Sequence, residues 1–421
     1  MKVSKTLLIL QTAIVLLCSC NSDIQKTQSE VFSKLIEYYS SIPLRESPYP
    51  DFKGIVRLSE EEALSRNHYR FEYDDKFRLK NVSFWLGSTL RNPNHTANYF
   101  FTTPLQKIEY KDRIEIRTFY DRFENQTTQR GVYKEVYAIN HLGKKTDLHF
   151  ENKEGEKIEN TLGISDYKWE HKSDGSVIES RYDLKGAMKS LRPHFEFNRI
   201  RLFYEQNGMI SLMQNIDSQE NLLENSTGVA QDNLHFDKEG RWLGWDVLNK
   251  EHKLHRGNGP NVAKGINISN NYGYEVSIRY EDIDGSPIIN AHGFWGSQRF
   301  YDKYGNYSHT NFIDSLGNPG INEKSGYCYA IYTWDKRGIN RQKVELLDTK
   351  KEPIIHKSGG YSIIQYEYDE NDNIIKTNYL GLEGEKIDRK DNGISYIIYR
   401  HNDENALTET KRYNKSDELI K

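Results

Sequence analysis

From His68 onward, apolar and polar residues alternate with a period of two, in short runs separated by Asp, Asn and Gly. In Ala330-Ile331-Tyr332-Thr333-Trp334 and Ile364-Gln365-Tyr366-Glu367-Tyr368, aromatic residues recur at every second position around polar neighbours. That period is the mark of a strand with one buried face. Asp369, Asn371, Asp372 and Asn373 follow the second run and supply short polar side chains suited to a reversing backbone. Upstream the period differs. Thr27-Gln28-Ser29-Glu30 has the spacing of a helix capping box, and Phe32, Leu35, Ile36 and Tyr39 follow at helical intervals. The spacing predicts one amphipathic helix ending before Pro43, its apolar stripe capping the first edge of a sheet. Pro43, Pro48 and Pro50 mark a loop, and Ser59-Glu60-Glu61-Glu62 opens a second short helix.

The strand pattern repeats. Gly293, Gly326, Gly360 and Gly393 open successive copies at intervals of 33, 34 and 33 residues, and Asp302, Asp335, Asp369 and Asn402 keep the same phase. Earlier copies open at Gly131, Glu196 and Gly228, with more worn ones near Gly163 and Asn261. A second turn of common shape begins at Asp282, Asp314 and Asp348. Each copy therefore holds two strands and two turns, and strands of about eight residues make a ribbon roughly 26 Å wide. The expected architecture is mainly β: an antiparallel β-hairpin repeat array, an extended twisted or coiled sheet with a short N-terminal helical cap. It divides the chain into a leader (1–19), a tether and cap (20–66) and the repeats (67–421). The aromatic face needs cover, from a second layer or from coiling of the sheet itself.

Tyr366-Glu367-Tyr368-Asp369, within the run from Gly360 to Ile374, and Phe300-Tyr301-Asp302-Lys303-Tyr304-Gly305-Asn306 resemble the tyrosine-aspartate repeats of Rhs-type and teneurin-type shells. The resemblance covers the first hairpin of each copy and implies a β-hairpin repeat fold on an exported protein. The period of about 33 residues departs from the shorter unit of those shells, and encapsulation of a toxin is not carried over.

Composition narrows the class. Mean hydropathy of -0.82 and 28% charged residues would suit disorder, but 12% aromatic residues, with 29 tyrosines, do not. A net charge of -3 gives no field for nucleic acid, which is excluded as a partner. At the N-terminus, Lys2 and Lys5 precede an apolar run from Leu7 to Leu17, closed by Leu17-Cys18-Ser19-Cys20. This resembles a bacterial lipoprotein signal peptide, with Cys20 favoured over Cys18 as the modified residue. The resemblance implies cleavage before Cys20, a diacylglyceryl thioether and N-acylation with a fatty acid such as palmitate. The implied address is the cell envelope, lipid-anchored at the outer membrane, on its periplasmic or surface-exposed side. Several acyl chains anchor durably where one does not. Cys328 is then the one free thiol of the mature chain.

Candidate chemistry is sparse. Asp369, Asn371 and Asn373 have the alternate spacing that begins a calcium loop, but Ile374 and Leu380 stand where such a loop needs glycine and glutamate. His252 and His255 lack a third metal ligand. Neither a Gly-x-Ser-x-Gly elbow nor a phosphate loop is present, and Cys328 is flanked by Tyr327 and Tyr329 in a strand. Trp242, Trp245, Phe294 and Trp295 offer flat apolar platforms and are the candidate ligand contacts. The expectation is a non-catalytic, lipid-anchored envelope protein without metal or cofactor, presenting an extended surface to a protein or glycan. The alternatives are an envelope hydrolase acting on cell-wall or dietary polymer and an accessory component of a polymorphic-toxin system.

Overall fold

The computed structural model describes residues 35–93 and 100–420. They form one sheet of 26 strands in which sequence neighbours pair antiparallel from Asn67–Tyr73 onward. The sheet is not closed. Two strands break the serial order: Ile36–Ser41 lies between Ile55–Leu58 and Asn67–Tyr73 and pairs with both, and the short Thr89–Leu90 pairs back on Leu79–Leu86, which itself pairs onward with Leu105–Lys111. Ile36 and Tyr39 thus belong to a strand, not to the expected helix. Two ladders of backbone bonds and the packing of Tyr39 on Phe71 at 5.1 Å outweigh the local helical period, because tertiary pairing overrides propensity. The capping box at Thr27, Phe32, the leader and Cys20 lie outside the described residues. The second expected helix is present as Glu60–Leu64, capped reciprocally by Ser59 and Glu62. Among the described residues no helix is long and apolar enough to cross a membrane.

The repeat is richer than its sequence spacing implies. After the strand Gly296–Tyr301, Asp302 Oδ1 accepts from the amides of Tyr304 at 2.8 Å and Asn306 at 2.9 Å. The same geometry recurs at Asp314, Asp348 and Asp369. The turn acids are therefore engaged by their own backbone. Asp369 has its second oxygen on Asn373 Nδ2 at 3.0 Å, an arrangement that builds a turn. Each copy also makes a third turn, beyond the two expected. Past the second turn the chain forms a one-residue bridge, such as Ile313 with Pro319, and reverses again between Asn322 and Gly326. The opening glycines close this third turn with φ of 89°, 85°, 76° and 72° at Gly293, Gly326, Gly360 and Gly393. That left-handed backbone is why glycine marks the period.

The sheet coils, and its second half docks on its first. The tips of several first turns contact the opening segments of the chain. Lys53 Nζ donates to Asn207 O at 2.7 Å, Ser40 Oγ to Tyr272 O at 2.5 Å and the Asn67 amide to Tyr304 O at 2.8 Å. Arg91 Nη1 donates to Asn306 Oδ1 at 2.9 Å and Gly338 O at 3.0 Å. Farther along, Asn125 Nδ2 donates to Glu404 O at 2.8 Å.

Cover for the aromatic face comes from the chain itself. Residues 42–53 cross the inner face of the first half, where Tyr49 packs on Trp169 at 5.4 Å, His171 at 5.7 Å and Tyr204 at 5.7 Å. Beneath this segment lie buried charges. Arg117 meets Glu115 at 2.6 Å, Lys145 reaches the exposed Asp51 of the segment itself at 2.5 Å, and Glu179 meets Arg181 at 2.7 Å with both side chains fully enclosed. Sites this enclosed tolerate charge only in pairs.

In the second half the same face is only partly covered. Tyr332, Trp334, Tyr366 and Tyr368 are half-buried while Thr333, Gln365 and Glu367 are exposed, which is the alternation expected from sequence. Truncation should register the difference. Tyr137→Ala, at a fully enclosed ring, is expected to cost about 3–5 kcal/mol. Tyr366→Ala should cost roughly half of that, read as the difference in urea midpoint at unchanged slope.

Candidate binding face

On the partly covered face, aromatic rings form an unbroken ladder. It starts at Trp242 and Trp245, stacked at 5.3 Å with planes 11° apart. Trp245 lies flat on Gly265, where a Cβ would come within 2.0 Å of the ring, so this close approach requires glycine. Trp242 Nε1 donates to Gly244 O at 3.0 Å, which fixes its plane. The ladder continues from Trp245 to Tyr280 at 6.2 Å, to Phe294 at 5.7 Å and to Phe312 at 4.7 Å. Tyr327 follows at 5.3 Å, His356 at 5.8 Å, Tyr361 at 5.2 Å and Tyr379 at 5.5 Å. The Arg389 guanidinium closes the row, 4.7 Å from the Tyr379 ring centre. Offset and edge contacts at such spacings are the favoured aromatic geometries.

The local sequence explains the row. Phe294, Tyr327 and Tyr361 each directly follow an opening glycine, so the third turn delivers one ring in each of these three copies. Phe312 and Tyr379 come from the second strand of a copy. Below the row, Ala330, Val344 and Leu346 form a small buried cluster against which Tyr327, Tyr361 and Tyr366 pack. Burial, and next the positive Arg389, hold the His356 imidazole below its ordinary pKa, so it stacks as a neutral ring at pH 7. Burial pushes the Tyr280 phenol up to about 12.

Of the candidates expected from sequence, Trp242, Trp245 and Phe294 fall in this one ladder. Trp295 is half-buried beside it, and its carbonyl accepts from the Tyr280 amide at 3.2 Å. Tyr280, Phe312, Tyr327, His356, Tyr361 and Tyr379 are the members that sequence reasoning missed. An aromatic residue after the opening glycines Gly293, Gly326 and Gly360 was the available signal for part of the row. The remaining candidates are structural. Cys328 is fully enclosed, and burial raises its thiol to about 11. His252 Nδ1 is 3.0 Å from Gln231 Nε2, and His255 Nε2 is 3.0 Å from Thr227 O.

No protein-family model matches the chain, and no curated protein does. Among solved structures it is similar to a chain of the Photorhabdus luminescens Tc holotoxin pore, with 10% identity and a TM-score of 0.31 over 82% of this chain and 17% of that one. A chain of the TcdB2-TccC3 structure shows 9% identity and a TM-score of 0.23 over 90% of this chain and 23% of that one. The protein thus spans less than a quarter of the length of either. A porin-like protein from Bacteroides uniformis shows 8% identity and a TM-score of 0.18, with 89% and 93% of the two chains covered. At such scores these likenesses bear on neither activity nor partners.

Proposed function

We propose that this is a lipid-anchored protein of the cell envelope whose open aromatic face binds an extended partner, a protein or a glycan. The observation that carries the reading is the ladder from Trp242 to Tyr379. In the first half the equivalent face is sealed by residues 42–53; in the second half its rings form a continuous row that is left partly exposed except at the buried Tyr280. Aromatic platforms with polar rims are characteristic of interaction surfaces. Binding without turnover agrees with the turn carboxylates being engaged by backbone amides. The anchor rests on the lipobox-like Leu17-Cys18-Ser19-Cys20.

The experiment is photo-crosslinking in intact cells with the full-length protein. A crosslinking residue at Tyr361, on the ladder, is expected to give a discrete adduct. The same residue at Leu316, 84% exposed on a turn tip, is expected to give none. Equal labelling at both positions, or none at Tyr361, rejects the binding face. In the same cells Cys20→Ala should move the protein into the soluble fraction, and retention at the membrane rejects the anchor.

A further inference from the structure

A second place, away from the ladder, has the chemistry of a site. Where the coil docks on itself, a cleft of about 660 Å³ opens between the segment from Thr102 to Tyr133 and the turns around Asn373 and Asn405. Its floor is tied across the seam by Arg122 Nη2 to Asn373 Oδ1 at 2.8 Å and by Asn125 Nδ2 to Glu404 O at 2.8 Å. The cleft is thus shaped by two distant parts of the chain held in fixed relation.

Its wall is polar but carries little free charge. Asp121 has Oδ1 on the amides of Phe123 and Asn125 at 2.8 and 2.9 Å, and Oδ2 on Asn125 Nδ2 at 3.2 Å. Arg122 is bound to Asn371 O and Asn373 Oδ1 and rests 4.4 Å from the Phe123 ring centre. The wall thus holds one anion, fixed within its own turn, and one cation, fixed across the seam. Much of the remaining wall is hydroxyl and amide: Thr102, Thr103, Gln126, Thr127, Thr128 and Asn405. Phe123, Tyr133 and His401 add ring surface.

The geometry points to a binding site for a neutral oligosaccharide. Such a ligand offers hydroxyls that both donate and accept, which suits threonine hydroxyls and amides. Its C–H faces suit Phe123 and Tyr133, and it carries no charge for a wall whose own charges are already engaged. An anionic ligand would meet a single cation, Arg122, with the Asp121 carboxylate beside it in the same wall, and an apolar peptide would leave the hydroxyls without partners. The site is separate from the aromatic ladder, so either can fail without the other.

Titration calorimetry of the full-length protein in detergent tests this with hexasaccharides of β-1,4-glucose, β-1,4-xylose and N-acetylglucosamine, beside hexagalacturonate and a mixed hexapeptide library. At least one neutral sugar is expected to bind with a Kd below about 1 mM, about tenfold or more tighter than hexagalacturonate. Phe123→Ala and Thr128→Arg should each weaken it by about tenfold or more, with melting temperature unchanged. Thr128 is exposed, so the arginine fills the cleft without entering the core. Tyr361→Ala should leave this binding as it is, which separates the cleft from the ladder. The assignment is overturned if no neutral sugar binds, if hexagalacturonate or the peptides bind more tightly, or if Thr128→Arg leaves sugar binding intact.

Discussion

Glu179→Ala is expected to destabilise the protein by about 3–5 kcal/mol, the usual cost of removing one partner of a buried ion pair. Glu179 receives Arg181 Nη1 at 2.7 Å, Trp169 Nε1 at 2.9 Å and the Ser47 hydroxyl. Alanine would leave the enclosed Arg181 guanidinium with only the carbonyls of Phe197 and Asn198, at 2.7 and 3.0 Å, and a long contact to Lys189 O. It would also free Ser47, and with it a hold on residues 42–53. Urea denaturation should record the loss, and limited proteolysis should show earlier cleavage within 42–53. The double change Glu179→Leu with Arg181→Met should recover most of the stability, because an apolar pair of similar volume avoids both desolvated charges. A single variant as stable as the parent would refute the burial of this pair.

Asp232→Asn should act in the opposite direction and stabilise the protein at neutral pH. Asp232 is buried, and its carboxyl is pushed up to about 8, first by burial and then by the negative Glu46, against the pull of Arg192 and the hydrogen bond from Asn258. Folding therefore holds a proton that the unfolded chain releases above its ordinary value of 3.8. The wild-type protein loses stability as pH rises between those two values, and none is lost on this account below the lower one. At pH 7 the loss is at most about 4 kcal/mol, roughly three pH units at ~1.36 kcal/mol each. Asparagine has no proton to release and can still accept from Asn258 Nδ2, now at 2.9 Å. Urea titrations from pH 4 to pH 9 should show the two proteins converging at the acid end and separating steadily towards neutrality. A gap that does not change with pH would refute the raised carboxyl.

Local rules carried the repeat but not its closure. The opening glycines, the turn acids and the alternation through Tyr366 and Tyr368 were legible because each follows from short-range backbone chemistry, and each appears where the spacing placed it. Ile36 and Tyr39 misled because their spacing satisfies a helix, while two neighbouring strands, far stronger than local preference, claim them. The third turn was hidden because its first position varies from Asn290 to His356 and Arg389 and only the closing glycine is constant. The cover over Trp169 could not be read at all. Nothing in Pro48-Tyr49-Pro50 announces a partner more than a hundred residues away, since long-range packing leaves no periodic trace. The ladder was half legible: Trp242, Trp245 and Phe294 stood out as single residues, but their alignment with Tyr379 is a property of the sheet.

The docking of late turns on early strands bears on how the chain reaches its fold. In an open solenoid each repeat needs only its neighbours and can assemble as it emerges. Here Asn67 is bonded to Asn306, 239 positions later, Arg91 reaches Gly338 across 247, and Asn125 reaches Glu404 across 279. The opening strands would therefore remain incompletely satisfied until the last copies arrive, so folding should be slow and concerted rather than progressive. During that interval their unpaired edges and aromatic rings would be open to aggregation, and a chain emerging N-terminus first would depend on a holding chaperone until its C-terminal turns are in place.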